Sequence, residues 1–123
     1  MSVKPLNSNT AIALLERFDS VRDGTIRAIT AHSPTSISIE LSTQDANRGF
    51  DWINVIFKID GVSDAKLLDD NLLSSLDMSD GVTIDITPTA AAFAIGSYAN
   101  RADESTLFIK GTNISYSEIE YRD

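Results

Sequence analysis

Large apolar residues recur at every second position in three stretches of this chain: Ile37, Ile39 and Leu41; Ile53, Val55, Phe57 and Ile59; Val82, Ile84 and Ile86. A two-residue period puts each set on one face of a strand and the intervening residues on the other. These positions absorb much of the large apolar content, so the chain is committed to sheet. Reactive side chains are scarce beside them: there is no cysteine, and His32 is the single histidine.

The remaining segments complete an α+β reading. Asn9 or Thr10 can cap a helix over Ala11–Arg17, with Ile12, Leu15 and Phe18 on its inner face. Asp19-Ser20 breaks it, and Val21–Ala31 reads as a strand whose alternation slips once, as at a bulge near Gly24. Ser33-Pro34 marks a turn before the clean strand Ser36–Ser42, and Thr43–Gly49 reads as a polar loop. Asp51–Asp60 carries apolar groups on both faces, Trp52 and Ile56 on one, Val55, Phe57 and Ile59 on the other, which predicts a central strand. Val62–Leu76 fits helix or loop, and Thr89–Tyr98 fits a helical turn or a strand, with strand preferred from Ala92. Turns at Asp60-Gly61 and Met78–Gly81, a strand over Val82–Thr87, a hairpin loop at Arg101–Ser105 and two strands over Thr106–Lys110 and Ile114–Tyr121 close the chain. The expected fold is a single domain, mainly antiparallel sheet. Its N-terminal helix packs on a curved sheet or partly open sandwich or barrel of about six to eight strands.

At 123 residues, 42% hydrophobic and with mean hydropathy of −0.05, the chain can bury one core without covalent staples. The lack of cysteine excludes disulfides and thiolate metal sites and leaves the redox compartment open. Met1–Thr10 offers one lysine and no apolar run, so no signal peptide is expected. Ala90–Ile95 is too short to span a bilayer. The expected compartment is a bacterial-type cytoplasm.

The net charge of −8 is unevenly spread. Between Asp60 and Asp85 seven aspartates face Lys66 alone, whereas the first 27 residues carry four cations against three acids. Such a field repels phosphate backbones and argues against nucleic acid; it attracts a basic protein partner. A solvated acidic surface that keeps a small protein soluble is the plainer alternative.

No motif for catalysis or for a bound group stands out. His32 lies in a predicted turn without grouped partners. Ser63-Asp64-Ala65-Lys66 has the spacing of some acyl enzymes but lacks their companion motifs. Asp77-Met78-Ser79-Asp80-Gly81 fails the oxygen spacing of a calcium loop, and no phosphate-cradling glycine loop occurs. The paired acids Glu118 with Glu120 and Asp103 with Glu104 read as charges that protect sheet edges. The expectation is no catalytic residue, no metal and no cofactor.

Phe18-Asp19-Ser20-Val21-Arg22-Asp23-Gly24-Thr25-Ile26 resembles the opening of small bacterial β-rich domains, several of them classed as immunity-type proteins of contact-dependent toxin systems. Phe57-Lys58-Ile59-Asp60-Gly61-Val62 resembles their central strand and turn. Arg22 stands where that pattern has histidine, so an imidazole role does not carry over, while Asp23 remains to order the turn. The resemblance implies a non-enzymatic domain that binds a protein partner such as a basic toxin or nuclease. The acidic stretch would then supply the contacts, with Asp69, Asp70, Asp77 and Asp80 as candidates. Two other functions compete: a small apolar ligand held near Trp52, Phe93 and Tyr98, and a homo-oligomer joined along Ile114–Tyr121.

Overall fold

The computed structural model describes residues 3–73, 75–98 and 101–121, apart from the Asp70 side chain. Nine strands among these residues form two antiparallel sheets. The larger sheet contains β1 (Lys4–Pro5), β2 (Thr25–Ser33), β3 (Ser36–Asp45), β4 (Asp51–Asp60) and β9 (Asn113–Glu120), in the order β1-β9-β4-β3-β2. The smaller sheet holds β5 (Asp64–Lys66), β6 (Val82–Ile86), β7 (Ala91–Ile95) and β8 (Phe108–Gly111), in the order β5-β8-β7-β6. The helices are α1 (Ser8–Arg17) and the single turn α2 (Asp70–Leu73). This is the α+β, mainly antiparallel architecture the alternation predicts, as an open pair of sheets and not a closed barrel. The nine strands exceed the six to eight expected.

The alternating residues meet between the sheets. Ile37, Ile39 and Leu41 of β3 and Ile53, Val55, Phe57 and Ile59 of β4 share one buried cluster with Val82 and Ile84 of β6, Phe93 and Ile95 of β7, and Ile109 of β8. At its centre the rings of Phe57 and Phe93, both without solvent exposure, lie 5.6 Å apart. Burial on this scale is the main favourable term in the fold.

α1 covers one end of that core with Ala11, Leu14 and Phe18. Its cap is Asn7, whose side chain accepts from the Thr10 amide at 2.9 Å while the Thr10 hydroxyl accepts from the Asn7 amide at 2.8 Å. The expected cap at Asn9 or Thr10 is therefore displaced, and Ile12, expected inside, is 59% exposed. Leu15 packs against the core and Phe18 is buried, as expected.

Other expectations change with tertiary pairing. β3 continues to Asp45 through the segment read as loop, because Thr43, Gln44 and Asp45 pair with Ile53, Trp52 and Asp51. Trp52 and Ile56 do lie opposite Val55, Phe57 and Ile59, but on the open outer face of the sheet. The slip in β2 falls at Arg27 and again at His32, after the predicted position at Gly24. Val62–Leu76 contains both β5 and α2. Thr89–Tyr98 contains β7, so the preferred strand is the one found. β9 is not the sheet edge: it pairs with β4 along its length and with β1 at Ser115 and Tyr116. No described helix is long and apolar enough to cross a membrane.

Candidate functional site

Backbone strain in this molecule is concentrated in one place. Among the described residues, the non-glycine positions with positive φ are Asp19 (50°), Ser20 (55°), Val21 (61°), Asp23 (59°) and Phe50 (66°). L-residues rarely adopt this region, and a β-branched residue such as Val21 does so least readily. Each such position costs about 1–3 kcal/mol and persists only where the surroundings dictate it. Four of the five lie in the turn that follows α1; the fifth is at the tip of the β3–β4 hairpin.

These two segments border the same hollow of about 190 Å³, lined by Asp19, Arg22, Asp23, Thr43, Gln44 and Phe50, among others. Val21 is fully buried and anchors the turn in the core. Phe50 is different. The residue is 63% exposed, so burial returns little for the strained backbone. It is held by its own amide, which donates to the Asp45 carbonyl at 2.9 Å, and by Gln44 Nε2, which donates to the Phe50 carbonyl at 3.2 Å. Arg22 faces Asp19 at 3.6 Å in solvent, an ion pair worth little.

The acidic turn lies against this site. The Asp23 amide donates to the Met78 carbonyl at 2.8 Å, and the Gly81 amide donates to the same oxygen at 3.0 Å. Gly81 has φ of 70°, and a Cβ there would overlap the Ser20 carbonyl oxygen, so only glycine permits so close an approach. Two stretches almost sixty residues apart thus bring Asp19 and Asp23 beside the Asp77–Asp80 turn. Asp77 and Asp80 are exposed. The Ser79 amide donates to the Asp77 carboxylate at 2.9 Å and holds its pKa below the ordinary value.

The four predicted contact residues divide. Asp77 and Asp80 occupy the turn just described. Asp69 is exposed and precedes α2, which packs on β2 through the buried Leu73. No described hydrogen bond or ion pair joins it to the 77–80 turn. Asp70 begins α2, but its side chain lies outside the described residues. Sequence reasoning missed Asp19, Asp23 and Phe50 as a group. The polar residues Asp19, Ser20, Arg22 and Asp23 with Gly24 after the helix, and the Gly49-Phe50 tip, carried the only hint.

Beneath the hollow is an ion network. Arg17 Nε and Nη2 donate to the two carboxylate oxygens of Asp45 at 2.8 and 2.6 Å, and the same guanidinium reaches Glu118 at 2.5 and 3.2 Å. Arg48 Nε adds a contact to Asp45 at 3.2 Å. The Asp45 side chain has no solvent exposure, and the Arg17 hydrogen bonds hold its carboxyl below the ordinary range. The Arg17 guanidinium is raised in turn, chiefly by Asp45. Glu118 is thus an internal ion-pair partner and not the edge-protecting charge expected; Glu104 pairs with Arg101 and Asp103 with Lys110.

The aromatic trio of the small-ligand reading is dispersed. Phe93 is wholly in the core, Trp52 is on the outer face 6.0 Å from the Tyr121 ring, and Tyr98 follows β7. His32 is exposed, its Nε2 2.8 Å from the Ser38 hydroxyl. No cluster of three potential metal ligands occurs among the described residues. Compared with known proteins, the chain matches no family model, no curated protein and no solved structure.

Proposed function

We propose that this protein is a non-enzymatic domain that binds a basic protein partner, acting as an immunity-type inhibitor would toward a toxin or nuclease. The observation that carries the reading is that every described non-glycine residue with positive φ belongs to two segments around one surface hollow. The strained backbone at Phe50 closes the hairpin tip through its hydrogen bonds, but its exposed side chain gains little burial in the free chain, and a partner that receives the ring gives it a use. Phe50 supplies an aromatic anchor, and Asp19, Asp23, Asp77 and Asp80 supply an acidic margin. Interfaces commonly combine such an apolar centre with a charged rim.

The charges act mainly on the rate of encounter. A carboxylate margin raises association with a cationic partner and makes it sensitive to salt. The test is the association rate of wild type and of an Asp77→Asn, Asp80→Asn double variant with the captured partner, measured across salt concentrations. The double variant is expected to associate more slowly and with a flatter salt dependence. An unchanged on-rate removes these aspartates from the encounter surface. The same comparison with Asp69→Asn, Asp70→Asn shows whether the acidic surface extends to α2.

A further inference from the structure

The outer face of the larger sheet carries a second, chemically different site. Cross-strand register sets its side chains in rows: Thr30, Ser38, Lys58 and Ser115 lie in one, and Ala28, Glu40, Ile56 and Ser117 in the next. Between them is a hollow of about 210 Å³, lined by His32, Ser38, Ile56, Lys58, Ser115 and Ser117 together with Val3 and Tyr116. Ile56 provides an apolar floor. The polar groups converge from four strands, which hold them on rigid backbone.

The protein carries a net charge of −8, yet among the described residues no carboxylate lines this hollow. The Lys58 ammonium has no ion-pair partner among the described residues, and the Ser115 and Ser117 hydroxyls have no hydrogen-bond partner there. Glu40, the acid of the adjacent row, accepts from Asn54 Nδ2 at 3.0 Å. Ser38 and His32 are already bonded to each other at 2.8 Å, which fixes the imidazole at the rim. Ammonium, imidazole and free hydroxyl donors over an apolar floor match a ligand with one anionic end and a compact hydrophobic body.

We propose that this hollow binds a small organic monocarboxylate, its carboxylate on Lys58 and the serine hydroxyls and its apolar body over Ile56. The site is independent of the Phe50 surface and does not rest on the partner-binding reading. Binding geometry follows from the sheet: the carboxylate meets the Ser38–Lys58–Ser115 row, and the body extends toward the Ile56–Ser117 row.

Benzoate is the probe, with benzyl alcohol as its neutral counterpart and inorganic phosphate as an anion without an apolar body. Titration calorimetry and amide chemical-shift mapping on the full chain read the result. Benzoate is expected to shift amides of β2, β3, β4 and β9 around these rows. It should bind about tenfold more tightly than benzyl alcohol, the order of one charge-assisted hydrogen bond. Lys58→Met keeps the aliphatic stem and is expected to erase that difference, and Ile56→Ser should weaken benzoate while leaving phosphate as weak as before. Equal binding of benzoate and benzyl alcohol, phosphate binding as tight as benzoate, or shifts away from these four strands would each overturn the proposal.

Discussion

Arg17 grips both carboxylate oxygens of Asp45, at 2.8 and 2.6 Å, from the last turn of α1 to the last residue of β3. The Asp45 side chain is sealed from solvent, while Arg17 keeps 19% of its side chain exposed. This pair, with Glu118 of β9 on the same guanidinium, ties the helix to the sheet directly below the strained turn. A buried carboxylate with satisfied partners contributes little beyond an apolar replacement, but removing one partner leaves the other uncompensated.

Arg17→Met therefore destabilises the fold by about 3–5 kcal/mol, read from denaturant unfolding, because Asp45 then stays buried with only Arg48 and the Asn47 amide as partners. The pH dependence has a definite sign. The folded pKa of Asp45 is depressed, chiefly by Arg17, so its contribution is full above the unfolded value of about 4 and is lost as pH falls through the folded value. Asp45→Asn should flatten this acid limb of the stability curve. A limb of unchanged steepness would show that other carboxylates govern acid unfolding.

Phe50→Gly separates stability from binding. The αL conformation costs a non-glycine residue roughly 1–2 kcal/mol, and the extra chain entropy of glycine takes back roughly 0.5–1 kcal/mol. The exposed ring gives up little on removal, so the variant is expected to gain about 0.5–1 kcal/mol and to melt at a higher temperature. A clear loss of stability would mean that the ring packs on the hollow and supports the fold.

Gly81→Ala acts on the contact between the two turns. The new methyl meets the Ser20 carbonyl oxygen at a position that also has positive φ, so a cost of about 2–4 kcal/mol is expected. Amide shifts should change in the 19–23 turn as well as at the substituted residue. Changes confined to residues next to Gly81 would contradict the packing of the turns.

The two sides of the large sheet answer differently to truncation. Phe93→Ala empties the centre of the core and should cost about 3–5 kcal/mol. Trp52→Ala truncates a residue that is 41% exposed and whose ring lies 6.0 Å from that of Tyr121, and should cost about 1 kcal/mol or less. Acrylamide should quench Trp52 emission readily in the folded protein; a shielded, blue-shifted emission would place the indole elsewhere.

The strands were legible because their period comes from the backbone itself. Asp51–Asp60 was read to the residue, and β6 to within one, since alternation there is uninterrupted and bounded by turn residues. On α1, Leu15 and Phe18 face the core as the pattern expects and Ile12 alone does not; the cap differs because Asn7 and Thr10 exchange hydrogen bonds that composition alone does not rank above Asn9. Trp52 misled in another way, because an apolar residue on the second face of a central strand reads equally as core or as exposed surface. The candidate site was the least legible part. The proximity of Asp23 to Met78 depends on a tertiary backbone hydrogen bond; aspartate tolerates positive φ, as at Asp19 and Asp23, but Val21 and Phe50 carry no such signature in their residue types.

Affinity capture from the source cells, with wild type and Phe50→Gly as paired baits, addresses the role of the strained hollow most directly. The wild-type chain is expected to retain a basic protein that rising salt releases, while the glycine variant, folded and at least as stable, retains little of it. Equal retention by both baits, or a bound protein indifferent to salt, would contradict partner binding through Phe50 and its acidic margin.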